Sequence, residues 1–132
     1  MNPLADLRSF VSLWCLYRAV EPKIVLAYTI KPVIWGGIAA RLARVPSFFA
    51  LITGLGYAFT GKPQGSRAFI QHVSQFLYRI SFKGASGVFF QNPDDAAEFA
   101  NRGILPGSIT PHIVNGSGID TVAFAQAPLP DG

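Results

Sequence analysis

A single cysteine, Cys15, stands among the 132 residues, so the chain can close no internal disulfide and can build no cysteine-based zinc site. Its apolar neighbours in residues 10–17 make it a buried packing residue on this reading. Charge is scarce as well. Only 14% of residues are charged and 50% are hydrophobic, which excludes a disordered, highly charged chain. There are two histidines, His72 and His112, far apart and without partners at ligand spacing; neither metal binding nor acid–base work is expected of them. The basic residues are scattered, with no run and no aromatic-interleaved stripe, so nucleic acid is not an expected partner. Residues 1–6 carry no basic segment ahead of an apolar core and do not read as a secretory signal, which leaves a cytosolic location as the default.

What is present repeats. Residues 24–28, 48–52, 87–90 and 109–114 are apolar and strand-like, and each run stops at a short polar or Gly-rich turn. The turns are Thr29-Ile30-Lys31-Pro32, Thr53-Gly54-Leu55-Gly56, Gln91-Asn92-Pro93 and Asn115-Gly116-Ser117-Gly118. Helix-like stretches follow at least three of them. Strand–turn–helix repetition predicts an α/β fold, a Rossmann-like open parallel sheet with flanking helices, because parallel neighbours need crossover connections. In such sheets ligands bind beyond the carboxyl ends of the strands, so the four turns are expected to line one cleft.

The helical segments fit this layout. Residues 6–20 place Phe10, Leu13, Trp14 and Tyr17 on one expected buried face, and Pro22 ends the segment. Pro32 suits the first turn of a helix reaching about Arg44, with Val33, Gly37, Ile38 and Leu42 available for packing. In residues 66–82, Phe69, Val73, Phe76, Leu77 and Ile80 form an apolar stripe expected to face the core. Asn92-Pro93-Asp94-Asp95 reads as a helix start with a cap, a first-turn proline and acids at the positive end; Gly103 closes that helix.

Residues 45–61 carry no charge, yet Pro46, Gly54 and Gly56 interrupt them. They read as a buried strand and a glycine turn, the alternative being a membrane anchor over residues 48–60. The first strand is apolar on both faces, as a central strand is, so the chain reads as part of a larger domain. The net charge, 11 basic against 7 acidic residues or +4, suits an anionic membrane surface or a phosphate-bearing ligand.

In order along the chain, Glu21-Pro22-Lys23-Ile24-Val25, Tyr28-Thr29-Ile30-Lys31-Pro32, residues 39–46, Gly54-Leu55-Gly56, residues 90–95 and residues 115–120 resemble the retaining glycosyltransferases of family 4. The resemblance runs from about Asp6 to Phe124 and is closest to members that extend lipid-linked saccharides in bacterial surface polysaccharide synthesis. It implies a two-domain GT-B enzyme, of which residues 1–124 are part of the N-terminal, acceptor-binding domain, with residues 125–132 a tail or the start of an interdomain linker. The nucleoside-diphosphate sugar then binds to a C-terminal domain whose paired glutamates are not found in this chain. No metal and no other cofactor is implied. In many members a histidine follows the second of these strands; here Thr53 stands there, and no catalytic residue is assigned.

Lys31 lies between a strand end and a helix start, where an anion such as a lipid-linked diphosphate is favoured. Thr29, Lys31, Thr53, Gly54 and Gly56 are therefore the candidate acceptor contacts; for the glycines, the alternative is that they only make the turn. Asn92, Asn115, Gly116, Ser117 and Gly118 are candidates for a cleft wall or hinge. Three readings follow: a piece of a transferase that is inactive alone, an acceptor-side subunit of a two-chain transferase, or a membrane-anchored protein without enzymatic activity. The first two place the chain at the inner face of the cell membrane, with a nucleoside-diphosphate sugar and a lipid-linked saccharide as substrates.

Overall fold

A computed structural model describes residues 3–55, 65–116, 118 and 123. Among them, α1 spans Pro3–Val20, β1 Ile24–Tyr28, α2 Gly37–Leu42, β2 Ser47–Ile52, α3 Ser66–Phe82, β3 Gly87–Phe90, α4 Pro93–Asn101 and β4 His112–Ile113. A wider, π-type turn over Pro32–Gly36 leads directly into α2. The four strands pair in parallel in the order β1-β2-β3-β4. This is the α/β architecture that the alternation of runs and turns requires.

Of the run that could have been an anchor, residues 48–52 belong to a central strand, and residues 56–60 lie outside the described residues. β2 pairs with β1 along Ile24–Tyr28 and with β3 along Gly87–Phe90, and Phe48, Ala50 and Ile52 are buried. Backbone bonds from Ser86 to Phe48 and from Gln91 to Ile52 extend the ladder at both ends. Among the described residues no helix is long and apolar enough to cross a membrane. β4 is shorter than its apolar run implied, only His112 and Ile113 being strand, followed by a bond from Val114 N–H to the Phe90 carbonyl.

Side chains of Ala27, Phe48, Ala50, Ile52, Val88 and Phe90 form one sheet face and meet the helical layer in a single buried core. Phe99 sits at its centre. Its ring lies 5.1 Å from Tyr78, 5.3 Å from Phe90 and 6.2 Å from Phe82, so α3, α4 and β3 converge on it. Burial pushes the Tyr78 hydroxyl well above its ordinary value, and it stays protonated. The opposite sheet face has no such cover: Ile24, Leu26 and Tyr28 of β1 are exposed, and β1 pairs only with β2 among the described strands.

Three expectations about the helices need correction. On α1, Phe10, Leu13 and Tyr17 are half-buried, but Trp14 and Cys15 are exposed. The helix packs on α2 and the Pro32–Gly36 turn, which cover only one side of it. Val33, in the Pro32–Gly36 turn, and Gly37, at the start of α2, are buried as expected, whereas Leu42 at the end of α2 is exposed. On α3 the fully buried face is Gln71, Ser74, Tyr78, Ser81 and Phe82; of the apolar stripe, Val73, Leu77 and Ile80 are half-buried, Leu77 against the core, while Phe69 and Phe76 face solvent. Small polar side chains win that face because they permit close approach. Ser81 Oγ donates to the Val33 carbonyl at 2.6 Å, and Gly37 lies against Ser81 and the Phe48 ring.

The ends of α2 and α4 show why the chain turns where it does. Arg44, at φ 60°, and Gly103, at φ 59°, each take the left-handed conformation that stops a helix. Val45 N–H then reaches the Ala40 carbonyl, and Ile104 N–H the Phe99 carbonyl. Buried Ile104 lies just past its glycine, and Arg79 donates to the Arg102 and Gly103 carbonyls at 2.7 and 2.9 Å, tying α3 to the end of α4. Residues 125–132, expected to be tail or linker, lie outside the described residues, as do Gly56 and Ser117.

Candidate functional site

Each polar turn follows the carboxyl end of its strand, and parallel pairing sets those ends side by side. Neighbouring strands lie about 4.8 Å apart, so the row from Thr29 to Asn115 spans about 14 Å. Thr29, Lys31, Thr53, Asn92, Asn115 and Gly116 are all exposed along it.

Thr29 takes φ 67°, a left-handed conformation that a β-branched residue adopts at a cost of about 1–3 kcal/mol. Its carbonyl accepts from Val33 N–H at 3.1 Å, so the strained residue bends β1 straight into the next helical turn. That bend places Lys31 at the rim. Its ammonium lies 2.8 Å from Asp6 Oδ1, the lysine side chain being 59% and the aspartate side chain 6% exposed. An ammonium has three donors; the buried carboxylate engages one and orients the others toward solvent. Lys31 is therefore a positioned charge rather than a loose surface lysine.

Asp6 was not among the residues singled out from sequence. The available signal was its isolation, as the one acid in a helix whose other charged residues are Arg8 and Arg18. What it pairs with depends on α1 lying beside the end of β1, which no local pattern encodes.

Gly54, at φ 156°, leaves the space where a Cβ would stand free of any atom of the described residues within 4 Å, so on that side the backbone is open to close approach. Asn92 is committed to a different task. Its Oδ1 accepts from Asp94 N–H at 2.9 Å and caps α4. Asn92→Ala is expected to cost about 1 kcal/mol, read as a lower urea midpoint at unchanged m-value. Gly118 N–H closes on the Gly116 carbonyl at 2.8 Å, a tight turn after β4.

Two cavities flank the β1 end of the row. One, of about 280 Å³, is lined by Leu13, Tyr17, Leu26, Ala27, Tyr28, Thr29 and Pro32. The other, of about 140 Å³, lies between Ser9, Leu13, Lys31, Pro32 and Trp35. A larger one, of about 360 Å³, opens beside Glu21, Arg44 and Pro46 at the amino ends of β1 and β2, away from the row.

The remaining titratable residues have structural settings. Burial, and then the neighbouring Asp94 carboxylate, push the Asp95 carboxyl above its ordinary range. His112 stacks on Phe89 at 5.3 Å, and His72 Nδ1 donates to the Ala68 carbonyl at 2.7 Å. Among the described residues no three His, Cys, Asp or Glu side chains gather as a metal site requires.

A family model described as "Glycosyl transferase 4-like" matches residues 2–92. Over 125 residues the chain is 29% identical to the N,N'-diacetylbacillosaminyl-diphospho-undecaprenol alpha-1,3-N-acetylgalactosaminyltransferase of Campylobacter jejuni. That alignment covers 94% of this chain and 32% of the relative, so the chain spans about a third of the length of the protein it matches.

Proposed function

The chain belongs to the glycosyl transferase 4-like family, and we propose that it supplies the acceptor-side surface of an enzyme that moves a sugar from a nucleoside-diphosphate donor onto a lipid-linked saccharide. In that reaction an acceptor hydroxyl replaces the nucleoside diphosphate at the anomeric carbon, and the hydroxyl proton passes to the departing diphosphate. The reading assigns acceptor contacts to these residues and leaves donor binding to polypeptide outside them. No residue here is given an acid or base role.

One observation carries the reading: Lys31, oriented by the buried Asp6 carboxylate, stands at the carboxyl end of β1, where open α/β sheets hold their ligands. A positioned ammonium beside the first backbone amides of a helical turn suits the diphosphate of a lipid-linked acceptor. The Campylobacter relative is named for an N,N'-diacetylbacillosaminyl-diphospho-undecaprenol acceptor, which supports the same class of ligand.

The test is transfer of labelled sugar onto a polyprenyl-diphosphate-linked saccharide by the complete enzyme. Lys31→Gln is expected to raise the acceptor KM about 10-fold or more, the loss of one charge-assisted contact, with the donor KM unchanged. If the donor KM rises instead, or neither KM moves, the acceptor assignment of this row is wrong.

A further inference from the structure

α1 and α2 pack together, and the chain just past their carboxyl ends walls a cavity of about 360 Å³. Both exits pass through a charged residue in the left-handed conformation, Glu21 at φ 48° and Arg44 at φ 60°. Glycine is the ordinary occupant of such a position, and asparagine the next. Arg44, like Arg18 in the last turn of α1, has a local reason, since a cation suits the negative end of a helix. Glu21 has none. Its carboxylate stands at the negative end of α1, on a backbone conformation that a side chain takes only under strain. Glu21 and Arg44 line the cavity with Arg18 and the half-buried Tyr17, and Pro22, Val45 and Pro46 add an apolar wall. Among the described residues no ion pair joins Glu21 to either arginine. The frame is held by backbone bonds, from Glu21 N–H to the Tyr17 carbonyl at 3.0 Å and from Val45 N–H to the Ala40 carbonyl at 2.9 Å. Ser47 N–H reaches the Lys23 carbonyl at 3.2 Å and ties one wall to the other.

We propose that this cavity binds a small zwitterion with an apolar body, the chemistry of a free α-amino acid with an aliphatic side chain. Its carboxylate is held by Arg18 and Arg44, whose planar guanidinium forks match it. Its ammonium faces Glu21, and its side chain lies on the apolar wall. The charges select this class. A plain anion would meet Glu21 and two negative helix ends, and a plain cation would meet two guanidiniums. A molecule carrying both signs engages all three side chains at once. The volume is at the small end of the range for ligand cavities, about 300–1,000 Å³, as a ligand of this size requires. The strain points the same way: charged side chains stand where the fold alone would place glycine, a departure expected where a site needs them. The cavity lies away from the row that holds Lys31, so the proposal goes beyond the transferase reading and does not depend on it.

The experiment is calorimetric titration of the full chain with L-leucine, 4-methylpentanoate and 3-methylbutylamine. The three share one carbon skeleton and carry both charges, the carboxylate alone and the ammonium alone. L-Leucine is expected to bind about 10-fold or more tightly than either analogue, the worth of one charge-assisted contact. Arg18→Gln should weaken leucine about 10-fold on the same ground. Glu21→Gly and Arg44→Gly supply the sharper contrast. Each should weaken leucine about 10-fold while holding or raising the urea midpoint, because glycine takes the left-handed conformation without strain. Leucine that binds no better than its analogues, or equally well to the unaltered chain and all three variants, overturns the proposal. So do lower midpoints in both glycine variants, which would assign the two side chains to the stability of the fold rather than to a ligand.

Discussion

Phe99→Ala is expected to remove about 3–5 kcal/mol of folding stability, the range for deleting a large aromatic side chain from a close-packed core. The residue is fully buried, and its ring touches Tyr78, Phe82 and Phe90, which belong to α3 and β3. Two of these contacts are edge-on, the favoured aromatic arrangement, so the loss includes specific pair energy as well as buried area. Relaxation into the cavity is limited. Phe99 also provides the carbonyl that accepts from Ile104 N–H, so the backbone is held on both sides of the helix end. Domains of this size have about 5–15 kcal/mol in total, so the variant should have a sharply lower urea midpoint. Phe69→Ala is the matching control: that ring is 72% exposed, and its loss should change stability by no more than about 0.5 kcal/mol. Equal midpoints for the two variants would contradict the position of the core.

Gly37→Ala should destabilise by about 2–3 kcal/mol, although alanine is the better helix former by about 1 kcal/mol. The added Cβ would collide with Ser81 Oγ and stand 2.9 Å from the Phe48 ring. Rotating Ser81 away breaks its bond to the Val33 carbonyl, which then keeps only the Gly37 N–H, and costs a buried hydroxyl its acceptor. Moving Phe48 disturbs the central strand instead. Combining Gly37→Ala with Ser81→Ala removes the hydroxyl from the conflict, so the pair should cost less than the sum of the two single changes by about 1 kcal/mol or more. Additive losses in urea unfolding would show that the helix and α3 are not in the contact described.

These two positions mark the limit of what local pattern conveys. The boundaries of the elements were legible. β1, β3 and α3 begin and end where apolar runs meet turn residues, and the Asn92 cap and Gly103 stop were readable because capping chemistry is local. Which side of α3 would be buried was not legible. Periodicity points to Phe69, Val73, Phe76, Leu77 and Ile80, of which Leu77 packs on the core from its edge, but the fully buried face is Tyr78 and Phe82 along with Gln71, Ser74 and Ser81. The choice depends on the shape of the neighbour. Gly37 and the Val33 carbonyl offer a shallow surface and an acceptor, and a serine fits both.

The candidate site divides along the same line. The sequence by itself determined that four polar turns follow four strand-like runs, and so that Thr29, Lys31, Thr53, Gly54 and Asn115 would share one edge if the strands were parallel. Only the tertiary structure decided the order of the strands, the inward turn of Asp6, and the pairing that converts Lys31 from a surface charge into a positioned one. The reason is physical. Turns and caps are set by residues a few positions apart, whereas a buried ion pair between α1 and the end of β1 exists only once packing has brought two distant segments together and excluded water from one partner.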